Sequence, residues 1–156
     1  TKHTLAAFVA LMIAALPALA GPKWYTDLDE AKAVAAKENK PLLVDFTGSD
    51  WCGYCIKLHK EVFDTPEFEK FAKDYVLVEL DFPKRQEQPA AEKAKNQAAQ
   101  KKYGVNGFPT VIIMNTSGKV LNRAEGYSPD SGPSAYLPQL GAPAAKKPRT
   151  ATPPKK

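Results

Sequence analysis

Cysteine is almost missing from this 156-residue chain: Cys52 and Cys55 are its only two. That scarcity excludes a framework of stapling disulfides. A structural bridge gains most by closing a long loop, and the loop between these two thiols is close to the shortest possible. The pair therefore points to reactivity. Histidine is equally scarce, with His3 and His59 alone. A structural zinc site needs four ligands, and a chain with no second CxxC and no histidine pair does not offer them. The c-type haem motif also fails, because Ile56 stands where the histidine after CxxC is required.

Long apolar runs are lacking too. Leu5 to Leu16 falls short of the ~20 apolar residues of a spanning helix, and Pro17 follows it. With Lys2 and His3 before it and Ala18-Leu19-Ala20 after it, a secretory signal peptide cleaved after Ala20 is expected. Acidic residues are missing from the far end, where Lys146, Lys147, Arg149, Lys155 and Lys156 lie. The net charge of +5 resides there: setting aside those five and Lys2 leaves 16 basic residues against all 17 acidic ones. A domain so close to neutral is not expected to bind nucleic acid, nor a membrane beyond export. Three segments are expected: a signal peptide over residues 1–20, one domain over 21–141, and a disordered Ala/Pro/Lys-rich tail over 142–156. An exported chain with both cysteines in one CxxC belongs where thiol redox state is managed against an oxidising environment.

What is present orders itself into alternating elements. Thr26 or Asp27 caps a helix to about Asn39, with acids in its first turn, lysines in its last and Pro41 beyond. Leu42 to Phe46 is a short buried strand, apolar except at Asp45. After a turn, a helix runs from Trp51 or Cys52 to Phe63, and Thr65-Pro66 starts another. Tyr75 to Leu80 is a second central strand, and Gln88 to Tyr103 a helix closed by Gly104. Thr110 to Met114 and Lys119 to Ala124 form a hairpin, and Pro129, Pro133 and Pro138 preclude a long helix beyond it. The order implies an α/β fold: a mixed sheet of about four strands with helices on both faces, its first crossover right-handed. Cys52 then lies at the carboxyl end of a central strand and the amino end of a helix.

From about Trp24 to Gly126, the chain resembles the thioredoxin superfamily. The resemblance rests on LLVDF followed by WCGYC, on YGVNGFPT leading into a strand, and on the turn NTSGK before Gly126. FTGSDWCGYC and ELDFP are most similar to exported bacterial thioredoxin-like domains. The chemistry of the motif stands beside this likeness. The thiolate is the attacking species, and a helix amino end favours it at Cys52 over the ordinary thiol with a pKa of about 8.5. Cys55, one turn in, resolves the mixed disulfide, while Gly53 and Tyr54 tune the balance. The resemblance implies a cis peptide bond between Phe108 and Pro109 opposite the CxxC, where substrate backbone pairs as a short added strand. Phe108 is bulkier than is common in relatives; it contacts substrate or narrows what fits. The resemblance also implies a proton-relay role for Asp45, although one residue more than in ordinary thioredoxin separates it from Cys52. The lysine that often partners this acid from the next strand is absent, and only Glu79 is available there. Trp51 is expected at the rim of the site, and Asp50 as a surface acid opposing the Cys52 thiolate.

These readings converge on a periplasmic or secreted thiol–disulfide oxidoreductase of a Gram-negative bacterium. It is expected to be monomeric, without metal or cofactor, and to reduce disulfides in exported proteins with electrons from an upstream thiol donor. The Trp-Cys-Gly prefix favours the reductase direction over a disulfide oxidant or isomerase partner. Two other readings stay open: a copper metallochaperone using Cys52, Cys55 and His59, and a redox-inert binding module.

Overall fold

The computed structural model describes residues 21–141; the expected signal segment and basic tail lie outside them. The chain order is β1 (Trp24–Tyr25), α1 (Leu28–Glu38), β2 (Leu42–Thr47) and α2 (Gly53–Leu58), which continues as a π-helical turn over His59–Phe63. Then come α3 (Pro66–Ala72), β3 (Val76–Asp81), α4 (Ala90–Lys102), β4 (Thr110–Met114), β5 (Val120–Glu125) and α5 (Gly132–Tyr136), which runs into a 3₁₀ turn over Leu137–Leu140.

Local chemistry sets the element ends. Asp27 caps α1 by accepting hydrogen bonds from the N–H groups of Asp29 and Glu30, and Asn39 closes it in the left-handed conformation (φ 52°). Thr65 caps α3, with Pro66 in the first turn, where a missing N–H costs nothing. A single α-helix expected from Trp51 to Phe63 instead changes pitch at His59. There the N–H of Asp64 bonds back five residues to the His59 carbonyl at 2.9 Å.

The sheet order is β1-β3-β2-β4-β5, with β1–β3 and β2–β3 parallel and the other pairs antiparallel. It holds one strand more than expected: two-residue β1 carries no periodicity, and its place on the sheet edge comes from pairing Trp24 and Tyr25 with Leu77 and Val78. Because strand side chains alternate, β2 splits cleanly. Leu42, Val44 and Phe46 enter the core beneath α1 and α4, while Leu43 enters the other, with Leu58, Val62, Phe63, Phe68 and Tyr136. Asp45 shares the Leu43 face. So does Glu79, which is paired in register with Asp45 across β2 and β3. Two carboxylates thus point toward the helix layer that carries the cysteines. Among the described residues no helix is long and apolar enough to cross a membrane.

Phe68 ties β1 to this layer, stacked on Trp24 with centroids 5.9 Å apart and packed on Phe63 at 4.7 Å. Phe68→Ala is expected to cost about 3–5 kcal/mol in urea unfolding, as a fully buried aromatic truncation does.

Candidate functional site

Beyond β2 the chain turns through Gly48–Trp51 into α2, so the helix starts at the sheet's carboxyl edge. Cys52 is the N-cap, its Sγ accepting the Cys55 N–H at 3.3 Å, and a disulfide joins the two residues. They are not equivalent. Cys52 is 7% exposed and Cys55 1%, so the N-cap cysteine is the less buried of the two. Tyr54 (58% exposed) and Ile56 (49%) give that end of the helix an apolar rim. A side chain on Gly53 would meet nothing within 4 Å.

The turn before Cys52 is anchored to the exit of β3. The Ser49 N–H and hydroxyl both donate to the Asp81 carboxylate, and the Trp51 indole N–H donates to the Phe82 carbonyl at 2.8 Å. Asp50 accepts from the backbone N–H groups of Lys84, Arg85 and Gln86, which hold its carboxyl below the usual range. Its carboxylate, expected as a surface acid beside the thiolate, also organises the 84–86 loop. Lys84 lies over the Trp51 ring at 3.5 Å from the centroid. Gly48 is where the indole rests, since a Cβ there would come within 2.6 Å of it.

Trp51 also brings in the second predicted segment. It meets Phe108 edge-on with centroids 6.0 Å apart, and Phe108 packs on Phe82 at 4.9 Å. The Phe108–Pro109 peptide bond is cis, Pro109 is buried, and its carbonyl accepts the Gly126 N–H at 2.8 Å. Among the described residues, the Phe108 amide and carbonyl take part in no turn or loop backbone hydrogen bond.

Behind the disulfide, the sheet face presents Asp45. It is fully buried, and its Oδ2 lies 2.9 Å from His59 Nε2; its Oδ1 has no partner. Glu79 Oε2 is 3.4 Å from the same nitrogen. Burial pushes the Asp45 carboxyl above its ordinary range, with the His59 hydrogen bond opposing. For His59, burial acts downward, but the hydrogen bond and charge of Asp45, together with Glu79 and Asp64, raise the imidazole above its ordinary 6.5. Glu79 is raised by burial too. The partner of Asp45 is thus a histidine reaching over from the helix. Spacing along the chain gave no sign of it, because His59 and Asp45 are 14 positions apart on different elements. Cys55, Thr47, His59 and Glu79 line one open cavity of about 410 Å³. Among the described residues, the grouping of three potential metal-ligating side chains is Asp45, His59 and Glu79, without either cysteine. In it the imidazole nitrogen is already spent on Asp45, which is the arrangement of a hydrogen-bonded network.

A thioredoxin-like domain model matches residues 28–141. The chain belongs to the thioredoxin superfamily. Its Cys52–Cys55 centre is of the disulfide oxidoreductase type. This thioredoxin-like chain is 38% identical over 112 residues to the disulfide bond reductase DsbH of Chlamydia pneumoniae, covering 71% of this chain and 66% of that one. To the thioredoxin-related protein DsbJ of the same organism it is 33% identical over 110 residues, covering 70% of this chain and 32% of that one. It therefore spans less than two thirds of the length of either relative. The solved structure of a DsbH oxidoreductase superposes with a TM-score of 0.71 at 31% identity, covering 90% of this chain and 92% of that one.

Two outcomes follow for this thioredoxin-like domain. Gly48→Ala displaces the Trp51 indole, so a change in tryptophan fluorescence is expected in a protein that stays folded by circular dichroism. The raised imidazole of His59 binds its proton more tightly folded than unfolded. Its contribution to stability is full below pH 6.5 and is lost as pH rises through the folded-state value. Urea midpoints measured upward from pH 6.5 should fall in the unsubstituted protein, and this part of the fall should be missing in His59→Gln.

Proposed function

We propose that this protein is an exported thiol–disulfide oxidoreductase that works mainly as a reductase of disulfides in exported proteins. The observation that carries the reading is the unequal Cys52–Cys55 pair at a strand-to-helix turn: the less buried cysteine is the helix N-cap, and the other is buried one turn in. The similarity to a protein named as a disulfide bond reductase supports the direction.

In the dithiol state, the Cys52 thiolate attacks one sulfur of a substrate disulfide, and the other substrate sulfur leaves as thiolate. Cys55 then attacks Cys52 Sγ, closes the intramolecular disulfide and releases the second substrate thiol. The substrate gains two electrons and the Cys52–Cys55 pair loses them; an upstream thiol donor restores the dithiol. Trp51, Gly53 and Tyr54 form the contact surface beside Cys52. Phe108 and Pro109 form its other wall, where the uncommitted amide and carbonyl of Phe108 suit an extended substrate strand. Asp45 serves as the base for Cys55. Export rests on the signal-like segment over residues 1–20.

The test is the equilibrium potential of the Cys52–Cys55 pair, read by thiol labelling across a dithiothreitol and glutathione series. A two-electron transition below about −220 mV is expected for a donor, and one above about −150 mV would reverse the direction. Cys55→Ser should accumulate a mixed disulfide with a reporter disulfide, whereas Cys52→Ser should not. The opposite pattern would exchange the two roles.

A further inference from the structure

Asp45 is fully buried, yet a base must be ionised when its proton arrives and must then pass that proton on. Its Oδ1 is free to accept it, being a buried oxygen without a partner. Its Oδ2 is held by His59 Nε2 at 2.9 Å. His59 and Glu79 connect this pocket with solvent: each side chain is 29% exposed and lines the same open cavity as Cys55. His59 is bonded within its helix and its ring is packed on two sides. Its backbone N–H bonds to the Cys55 carbonyl, and its ring packs on Phe63 (centroids 4.9 Å) and Trp24 (5.9 Å).

The charges around it come from every neighbouring element. Asp45 faces it from β2, Glu79 from β3 and Asp64 from the end of its own helix, with Lys60 on the cavity wall. Asp81 at the end of β3 adds negative potential at Asp45 and Glu79, and the buried Tyr136 hydroxyl of α5, itself without a partner, senses Asp45. His59 is the one cationic partner that Asp45 has among these groups.

We propose that His59 is a positioning residue for the resolving step: it holds the buried Asp45 carboxylate ionised and gives the proton taken from Cys55 an outlet into the cavity. This rests on the resolving role of Cys55 proposed above. At the start, Cys52 is bonded to a substrate sulfur, Cys55 is a thiol, Asp45 is ionised and His59 is an imidazolium. The Cys55 proton passes to Asp45 Oδ1, and the Cys55 thiolate attacks Cys52 Sγ. The Cys52–Cys55 bond forms, the bond from Cys52 to substrate breaks, and the substrate sulfur leaves with the electron pair. Neutral Asp45 no longer supports the imidazolium, which releases one proton from its other ring nitrogen to water in the cavity. One proton enters the Asp45–His59 pair and one leaves, so the pair returns to its starting count.

The experiment separates the two chemical steps. Stopped-flow release of thionitrobenzoate from an aromatic disulfide reports attack by Cys52 in a Cys55→Ser background; release of the second thiol reports resolution when Cys55 is present. His59→Gln keeps a hydrogen-bond donor without a charge. The expected result is an unchanged rate of attack, while the acid limb of the resolution profile moves up by about 1–3 pH units, the effect of a lost cationic neighbour on a carboxylate. His59→Lys is expected to move the limb back. An acid limb that stays in place in His59→Gln overturns the proposal. Asp45→Asn with normal resolution removes the base on which it depends, and overturns it too. No resolution at all in the unsubstituted protein would instead sink the assignment of Cys55. If the His59 variants do not fold, the unsubstituted protein decides: the His59 ring resonances must show an inflection at the pH of the acid limb, and its absence overturns the proposal.

Discussion

Taking a lone carboxylate out of water costs several kcal/mol unless partners replace the water, and Asp45 is taken out of water completely. Much of the site is arranged around that cost. The alternation of β2 sends Asp45 to the face that carries α2, where Leu43 already commits the neighbouring position to the core. Glu79 arrives beside it because β3 pairs in register, which adds a second acid. One imidazole answers both. It comes from the turn where the helix widens to π geometry, and two aromatic rings hold it in place. The small strand β1 matters for the same reason: it delivers Trp24 to the wall beside His59 and Phe63.

The elements that could be read along the chain were those whose cause is local. Asp27 and Asn39 bracket α1, Pro66 opens α3, and LLVDF and TVIIM carry the apolar density of central strands. The alternating order of helices and strands was enough for the architecture, and the WCGYC and GFPT segments placed the centre of the site. What escaped was set by contacts between distant positions. Ser49 and Asp81 are 32 positions apart, Trp51 and Phe82 31, and Asp50 and Gln86 36. No spacing rule relates such residues. His59, read along the chain only as a metal ligand beside the cysteines, has its neighbour in an acid on the sheet.

The turn between Asp45 and Cys52 is tied down along its length. It carries three consecutive anchoring groups: Ser49 on Asp81, Asp50 on the 84–86 backbone, and Trp51 on Phe82. The backbone of one loop and the side chains of another are thus satisfied by each other, which leaves few polar groups to wander near the disulfide. Phe108 closes the assembly from the opposite side through Trp51 and Phe82.

All of those anchors lie outside the dipeptide between the sulfurs. Gly53 faces open space and Tyr54 is turned outward, so neither supports the turn, the helix cap or the aromatic wall. The two positions amount to an interchangeable cassette on a finished frame. A side chain can change at either position while the turn, the helix cap and the aromatic wall keep every contact they have.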